Sequence, residues 1–298
     1  MRKIFYSAVS AFCIFASPLF AKDEAKSDYV RYQGDDKAGK LETIVVSMKK
    51  GDVKVDLIGA VHIADKAYYA ELTELFKTYE VLLFELVDGQ SIKEELEGKK
   101  DEVSAKDNDP AFKFLRGMMT SLSSYFNFQY QTDGIDYRTA NFVHADVSME
   151  QFQKMQKDKG ESFFTLYQKA VRAQLELGTD KSMEPKGGQL LLALLGDSSG
   201  LKVVMARSLA GADKLLEKIE GDSGTVILTE RNKVALGVLE KQLAAGKKNL
   251  GIFYGAAHLA DMEARMVKMG FERTGEKWIT AWDIKPRARQ QPKADAAK

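Results

Sequence analysis

The heptad Gly59-Ala60-Val61-His62-Ile63-Ala64-Asp65 returns near the end of the chain as Gly255-Ala256-Ala257-His258-Leu259-Ala260-Asp261. Five of the seven positions are identical, and the other two exchange one apolar residue for another. Both copies follow an apolar strand pattern and precede a helical one. The repeat therefore predicts an α/β fold in which two βαβ-like halves, each with a Gly-x-x-His loop, share a central mixed sheet. A mixed α+β arrangement is the alternative.

The segments around the first heptad predict further elements of this sheet. The runs 41–48 and 53–58 are rich in β-branched residues, and Lys49-Lys50-Gly51-Asp52 joins them in the pattern of a hairpin. Residues 66–78 carry apolar side chains at helical spacing, and Val81-Leu82-Leu83-Phe84 is typical of a short buried strand. We expect a strand, helix, strand unit here.

The middle of the chain, from about 90 to 222, is predicted to be a mostly helical insertion. Its predicted helices span 110–131, 161–177, 188–195 and 201–220. A short strand is expected over 141–145, and Ser148-x-x-Gln151 has the spacing of a helix capping box.

The overall composition restricts the class of protein and of partner. The 298 residues include 44 Lys and Arg against 43 Asp and Glu, whereas domains that hold nucleic-acid phosphates carry a clustered basic excess. We therefore expect no nucleic-acid partner. The hydrophobic share of 45% is typical of a globular protein and excludes fibrous and fully disordered classes.

The first 21 residues have the features of a secretory signal peptide. Arg2 and Lys3 precede an apolar run that ends on a small residue. This run is too short, and too interrupted by serine and proline, for a stable membrane anchor. We expect cleavage and export, to the periplasm if the source is a Gram-negative bacterium and to the medium otherwise.

The predicted cleavage leaves a single domain over residues 22–285 and a disordered tail over 286–298. It also removes Cys13, the only cysteine of the chain. Structural disulfides and thiol catalysis are therefore excluded from the mature protein.

His62 and His258 are the leading candidates for function. Each follows a loop glycine, Gly59 or Gly255, at the carboxyl end of a predicted strand, where open α/β sheets collect ligands. The chain has only one other histidine, and the two occupy matching positions. Imidazole is both a common metal ligand and a general base near neutral pH.

Acidic residues accompany these histidines. Glu85 ends the buried strand 81–84, so its carboxylate is expected to be paired, bound to a metal or raised in pKa. His144 and Asp146 lie at the end of the strand 141–145, either at the same site or as a local hydrogen-bonded pair. Asp65 and Asp261, which end the two heptads, are predicted to be helix N-caps.

Arg231 lies in the apolar stripe of a helix predicted over 225–245. A buried arginine needs a carboxylate partner. The alternative is that its stem packs at the edge of the stripe while the guanidinium reaches water.

Taken together, the Gly-x-x-His motifs at Gly59–His62 and Gly255–His258, Glu85, and the run Glu230-Arg231-Asn232 resemble the TraB/PrgY/GumN family. That family is grouped with the Tiki, erythromycin esterase-like and ChaN-like proteins. The resemblance extends over residues 41–282, in the middle by pattern only. It implies a mixed α/β fold with the site where the two loops meet, and it implies that Arg231 pairs with a site carboxylate.

The resemblance also implies a reaction. The leading expectation is a metal-dependent hydrolase that acts on peptide bonds, in which His62, His258 and Glu85 hold a divalent ion. Glu230, His144 or Asp146 would complete the ligand set, and Arg231 would belong to the catalytic group. Imidazole and carboxylate ligands suit manganese, cobalt, iron or zinc.

Two alternatives accompany this expectation. In the first, the hydrolase uses no metal, one histidine acts as a base on water and Glu85 orients that histidine. In the second, the protein is not catalytic and binds haem or a peptide. The expected partner is a peptide or small-molecule substrate in either hydrolytic version.

Overall fold

The structure is a computed structural model. It describes residues 28–87, 89, 117, 121, 123–178, 193 and 197–286. The predicted signal peptide lies outside these residues, as do the tail from residue 287 onward and nearly all of the predicted helix 188–195.

The chain alternates strands and helices. The strands are β1 (Val30–Gly34), β2 (Gly39–Lys50), β3 (Val53–Ala60), β4 (Ile63–Ala64), β5 (Val81–Phe84), β6 (Gln129–Tyr130), β7 (Phe142–His144), β8 (Asn249–Gly255) and β9 (Glu272–Ile284). The α-helices are α1 (Lys66–Phe76), α2 (Gln131–Gly134), α3 (Met149–Asp158), α4 (Phe163–Leu177), α5 (Ser199–Ala210), α6 (Asp213–Glu220), α7 (Arg231–Ala244) and α8 (Leu259–Lys268). A π-helical turn (Val226–Glu230) precedes α7, and a 3₁₀ turn (Ala256–His258) precedes α8.

Seven of the described strands form one mixed sheet in the order β1-β2-β3-β8-β5-β7, with β9 paired to β2. The pairs β3-β8, β8-β5 and β5-β7 are parallel, whereas β2 is antiparallel to β1, β3 and β9. The predicted α/β fold with a central mixed sheet is confirmed.

Two βαβ crossovers place the two heptads. In the first, β3 leads through α1 to β5, and both strands run parallel to β8, which lies between them. In the second, β8 leads through α8 to β9, which pairs with β2 on the far side of β3. Ala60 is the register partner of Gly255, so the two Gly-x-x-His loops leave adjacent strands at the same level.

The sheet is covered on both faces. Along β3, Leu57 and Ile58 belong to two different apolar clusters, and Ile252 and Phe253 of β8 divide between the same two clusters. Successive strand residues point to opposite faces, so a sheet buried on both sides reads as an unbroken apolar run. Each such side chain contributes about 1.5–3 kcal/mol when fully buried.

Several local predictions are confirmed. The hairpin turns at Gly51, whose φ of +59° suits a residue without a side chain. Strand β5 has the predicted bounds. The Ser148 hydroxyl accepts from the Gln151 amide, and the Gln151 side chain accepts from Ser148 N, which completes the capping box.

Other predictions need correction in the middle of the chain. The predicted helix 201–220 is two helices, α5 and α6, because the chain turns at Gly211. Helical structure within 110–131 ends before Asn127, whose φ of +55° is left-handed, and β6 follows. The short strand predicted over 141–145 is confirmed as β7, which joins the main sheet.

The predicted caps at the ends of the heptads are wrong in part. Asp65 occupies the N-cap position of α1 but makes no capping bond, because its Oδ2 accepts from the Asp283 amide at 2.7 Å. Asp261 lies in the first turn of α8, whose N-cap position is taken by His258. Within the part of the chain that the structure describes, no helix combines the length and the apolar character needed to cross a bilayer.

Candidate functional site

The two heptad histidines meet beside Gly255. A methyl group added to Gly255 would lie 3.7 Å from His62 Nε2, 3.6 Å from His258 Cδ2 and 3.2 Å from Glu85 Oε2. Glu85 follows β5, the neighbour of β8 on the side away from β3. Three adjacent parallel strands therefore deliver His62, His258 and Glu85 to one edge of the sheet, as the ends of parallel strands do in open α/β sheets.

His258 is almost fully buried, with 1% of its surface exposed. Its Nδ1 lies 2.6 Å from Asn232 Oδ1, and its Nε2 lies 3.6 Å from Glu85 Oε1. Among the residues that the structure describes, none supplies a hydrogen-bond partner for that Nε2 atom. Burial lowers the pKa of His258 to about 4, although Glu85 acts in the opposite direction. The ring is therefore neutral at pH 7, with one nitrogen unsatisfied.

His62 is held in a similar way from the other side. Its Nδ1 lies 3.1 Å from Gln131 Oε1, and its backbone carbonyl accepts from the Gln131 amide at 2.9 Å. Burial lowers the pKa of His62 as well, against the opposing effect of Glu85. Both rings are thus neutral near pH 7 and oriented by a side-chain amide.

Arg231 is fully buried and lies between two carboxylates. It donates from Nε to Asp146 Oδ1 at 2.9 Å and from Nη2 to Asp146 Oδ2 at 2.5 Å. Nη2 also donates to Glu85 Oε1 at 2.7 Å. Burial disfavours the charged guanidinium, but Asp146 and Glu85 together raise the pKa of Arg231 above its usual value. The structure therefore shows the paired arginine and not the alternative with its head in water.

Glu85 is likewise paired. Its Oε1 accepts from Arg231, and its Oε2 accepts from the Gly255 backbone amide at 2.5 Å. Of the environments expected for this carboxylate, the structure shows the one with charge and hydrogen-bond partners. Gly255 allows the close approach, because any side chain there would crowd Oε2.

Of the three remaining candidates, one joins the cluster and two do not. Asp146 joins the cluster through Arg231, with its Oδ1 also accepting from the Val147 amide at 2.8 Å. His144 lies apart, with Nε2 2.8 Å from the Leu86 carbonyl oxygen. Glu230 points to Lys159 and Lys233, each with Nζ 3.0 Å from Oε1. The structure does not bring His144 or Glu230 into the group around Gly255.

Two residues of the site carried no assigned role in the sequence. Asn232 stands in the run that resembles the family motif, yet nothing in the local pattern shows that its side chain contacts His258. Gln131 begins α2, and its place beside His62 follows from the pairing of β6 with β4. That pairing joins segments more than sixty residues apart and leaves no periodic signal.

A cleft lined by both histidines has room for about one water molecule. Its wall is mostly apolar. The lining residues are Val30, Ala60, Val61, His62, Leu209, Ala212, Asp213, Leu216, Leu228, Gly255, Ala256, Ala257 and His258. The two imidazoles therefore border a small, mostly apolar space, and the His258 Nε2 atom itself is buried.

The donor set suits a divalent ion in chemical type. Two neutral imidazoles and one carboxylate are ligands that manganese, iron, cobalt and zinc accept, and the unpartnered His258 Nε2 is the kind of atom such an ion would satisfy. Glu85 would have to share its carboxylate with Arg231 and the Gly255 amide. Among the residues that the structure describes, no group of three or more His, Cys, Asp or Glu side chains is already arranged around a metal position.

No protein-family model matches the chain, and no curated protein matches it.

Proposed function

We propose that this protein is an exported hydrolase that cleaves a peptide bond, or an ester of similar size, at the site formed by His62, His258 and Glu85. The observation that carries the proposal is the buried Nε2 of His258, which has no hydrogen-bond partner among the described residues and belongs to a ring that lines the cleft. A buried polar atom without a partner calls for an explanation, such as a catalytic role or a bound water or ion.

The chain's own residues account for activation of a water molecule. Because His258 is neutral, its Nε2 accepts a proton from water as that water attacks a carbonyl carbon. The Nδ1–H donated to Asn232 stabilises the imidazolium that forms, and Glu85, 3.6 Å from Nε2, stabilises it electrostatically. The proton then passes from Nε2 to the leaving group.

Arg231 is a positioning residue in this proposal. Its guanidinium is committed to Asp146, Glu85 and the Ile227 carbonyl, so it fixes the Glu85 carboxylate and does not face the substrate. Apolar walls around the cleft lower the local dielectric constant and so strengthen the effect of Glu85 on a developing charge.

A metal-dependent version is the second candidate, and the same unpartnered Nε2 favours it. His62, His258 and Glu85 would hold the ion, which would lower the pKa of a bound water and polarise the carbonyl. The resemblance to the TraB/PrgY/GumN family supports this version and supports a peptide as the substrate. The predicted signal peptide supports export.

The test measures hydrolysis by the mature chain, purified from the exported fraction without chelator or affinity metal. A mixture of unblocked peptides and a set of chromogenic esters serve as substrates, and elemental analysis of the same sample reports bound manganese, iron, cobalt or zinc. The wild type is compared with His258→Gln and with the matched control His144→Gln, which changes a histidine outside the site.

The expected result is turnover by the wild type and by His144→Gln, with a loss of at least a hundredfold in His258→Gln, as removal of a general base typically causes. Activity that survives dialysis against a chelator assigns the metal-free version, and activity restored only by added metal assigns the second. Equal rates in His258→Gln and the wild type would refute the proposed site.

A further inference from the structure

We infer that Asn232 and Gln131 are positioning residues that hold both site histidines as the Nδ1–H tautomer. Two Nε2 lone pairs then face the space beside Gly255, and that space takes a hydrogen-bond donor or a cation and not an anion. This inference rests on the proposed function only in that it concerns the same two histidines.

The Asn232 amide can face His258 in one orientation only. Its Nδ2 donates to Asp261 Oδ2 at 2.8 Å and to the His258 carbonyl oxygen at 3.3 Å. Both partners are acceptors, so the NH₂ group must be on that side and Oδ1 must face the ring. Since Oδ1 only accepts, His258 Nδ1 carries the proton, and in the neutral ring Nε2 is left with a lone pair.

Asp261 is thus given a role that differs from that of its counterpart in the first heptad. Its Oδ2 orients Asn232 and also accepts from Arg265 Nε at 2.7 Å. Asp65 instead accepts from the Asp283 amide. The aspartate of the second heptad therefore orients the amide that contacts its histidine, whereas the aspartate of the first heptad bonds to the backbone of β9.

Gln131 plays the corresponding part for His62. Its Nε2 donates to the Tyr137 hydroxyl at 2.9 Å, and its Oε1 faces His62 Nδ1 at 3.1 Å. All three side chains are buried, so water does not compete for these bonds. The backbone N–H of Gln131 also donates to the backbone carbonyl oxygen of His62, so Gln131 holds the loop as well as the ring.

The chemistry of the occupant follows from these two lone pairs. His62 Nε2 and His258 Cδ2 lie 3.7 Å and 3.6 Å from the position that a Cβ atom on Gly255 would occupy, and Glu85 Oε2 lies 3.2 Å from it. The buried charges of Glu85, Asp146 and Arg231 leave one net negative charge. A water molecule, an ammonium group or a divalent cation satisfies two acceptors in this field, whereas a phosphate or carboxylate would meet repulsion.

The third histidine supplies an internal reference. His144 Nε2 lies 2.8 Å from the Leu86 carbonyl oxygen, and a carbonyl only accepts, so His144 carries its proton on Nε2. The chain has three histidines in all. One spectrum of the imidazole nitrogens therefore contains two rings of one expected tautomer and one ring with Nε2 protonated.

The experiment is long-range ¹H–¹⁵N correlation NMR on the ¹⁵N-histidine-labelled mature chain at pH 7.5, which distinguishes the two neutral tautomers of each ring. We expect Nδ1–H at His62 and His258 and an Nε2 proton at His144. Asn232→Leu should release only the His258 ring from this tautomer, and Gln131→Leu only the His62 ring. Asn232→Asp keeps an acceptor facing Nδ1 and should keep His258 in the wild-type tautomer.

A matched control is Asn141→Leu, which removes a partly buried amide that donates to the Phe76 and Tyr79 carbonyls away from the site. It should leave all three rings unchanged. Nε2–H at His62 or His258 in the wild type would overturn the inference, and the wild-type spectrum decides this even if a variant does not fold.

The class of occupant is tested by titration of the same sample with Zn²⁺ and, separately, with inorganic phosphate. A joint shift of the His62 and His258 Nε2 signals with Zn²⁺ assigns a cation, and a bound-water contact to both rings without a Zn²⁺ shift assigns a water donor. A shift of either Nε2 signal with phosphate would refute the inference. Failure of hydrolysis alone would count against the proposed function and leave the tautomer assignment standing.

Discussion

Arg231 Nη2 donates to Glu85 Oε1 at 2.7 Å in a place where neither side chain has more than a few per cent of its surface in water. The same guanidinium makes two bonds to Asp146. One side chain at the start of α7 therefore joins the residues that follow β5 and β7. The bond explains why a charged residue lies in the apolar stripe of a helix: its charge is matched twice inside the protein.

Replacing Arg231 with Met should lower the free energy of unfolding by about 3–5 kcal/mol, because the change leaves two buried carboxylates without a counter-charge. The measurement is urea denaturation at pH 7. Arg138→Met is the matched control: Arg138 pairs with Asp136 on the surface, and exposed pairs contribute at most about 1 kcal/mol. Equal losses in the two variants would contradict the role given to the buried pair.

The repeat predicted most of what positions the site. A glycine and a histidine three residues apart, after each of two apolar runs, were enough to expect two crossovers in one sheet, because strand and helix periods are local properties of the sequence. The bounds of β5 and the capping box at Ser148 followed from equally local rules. The register between strands does not follow from such local rules. The two loops lie at the same level only because β3 pairs with β8 as it does.

The rest of the site depends on contacts between distant segments. Gln131 reaches His62 through the pairing of β4 with β6, and Asp146 reaches Arg231 across 85 positions of the chain. Neither contact leaves a periodic pattern. His144 lies near a strand end as His62, His258 and Glu85 do, but its Nε2 contacts the Leu86 carbonyl oxygen and its ring does not join their group. Residue type and strand position alone do not give the direction of a side chain.

Gly255→Ala should reduce hydrolysis by tenfold or more while the protein stays folded. The backbone at Gly255 has φ −50° and ψ 135°, which alanine adopts without strain, but its methyl group would lie 3.2 Å from Glu85 Oε2 and 3.7 Å from His62 Nε2. The site would be crowded by a group that cannot hydrogen-bond. Steady-state kinetics and thermal unfolding measure the two effects.

The control for this change is Gly237→Ala. Gly237 lies inside α7, and among the described residues no atom outside its own stretch of helix lies within 4 Å of the added methyl group. The substitution should therefore raise stability by about 0.5–1 kcal/mol through helix propensity and leave kcat/KM unchanged. A wild-type rate in Gly255→Ala would show that the space beside this glycine is not used.

Acid should destabilise the protein through His258. The pKa of this ring is lowered to about 4 in the fold and is about 6.5 in the unfolded chain. Between these values the unfolded state binds the proton and the folded state does not. The free energy of unfolding therefore decreases as the pH falls from 6.5 to 4, by about 3 kcal/mol, and His258 adds no further change below that range.

The measurement for this pH dependence is urea denaturation at several pH values from 7 to 4, in the wild type and in His258→Gln, whose amide does not titrate. Glu85, Arg231, Asp146 and His62 surround the ring in both proteins, so the difference between the two curves isolates His258. Parallel curves would show that the ring gains its proton as easily in the fold as in water.

Asp146 and Glu85, the two carboxylates bonded to Arg231, should differ in their roles. Asp146 should contribute mainly to stability, and Glu85 mainly to catalysis. Asp146 makes two of the bonds to the guanidinium and also accepts from the Val147 amide, so Asp146→Asn should cost more stability than Glu85→Gln. Glu85 alone lies beside His258 Nε2, so Glu85→Gln should cause the larger loss of kcat. Both variants keep the size and shape of the native side chain, and each leaves Arg231 one charged partner.

Urea denaturation and kcat, measured on both, test the expectation that the order of effects reverses between the two measurements. The same order in both would mean that the cluster acts as one structural unit and that Glu85 has no separate part in the reaction.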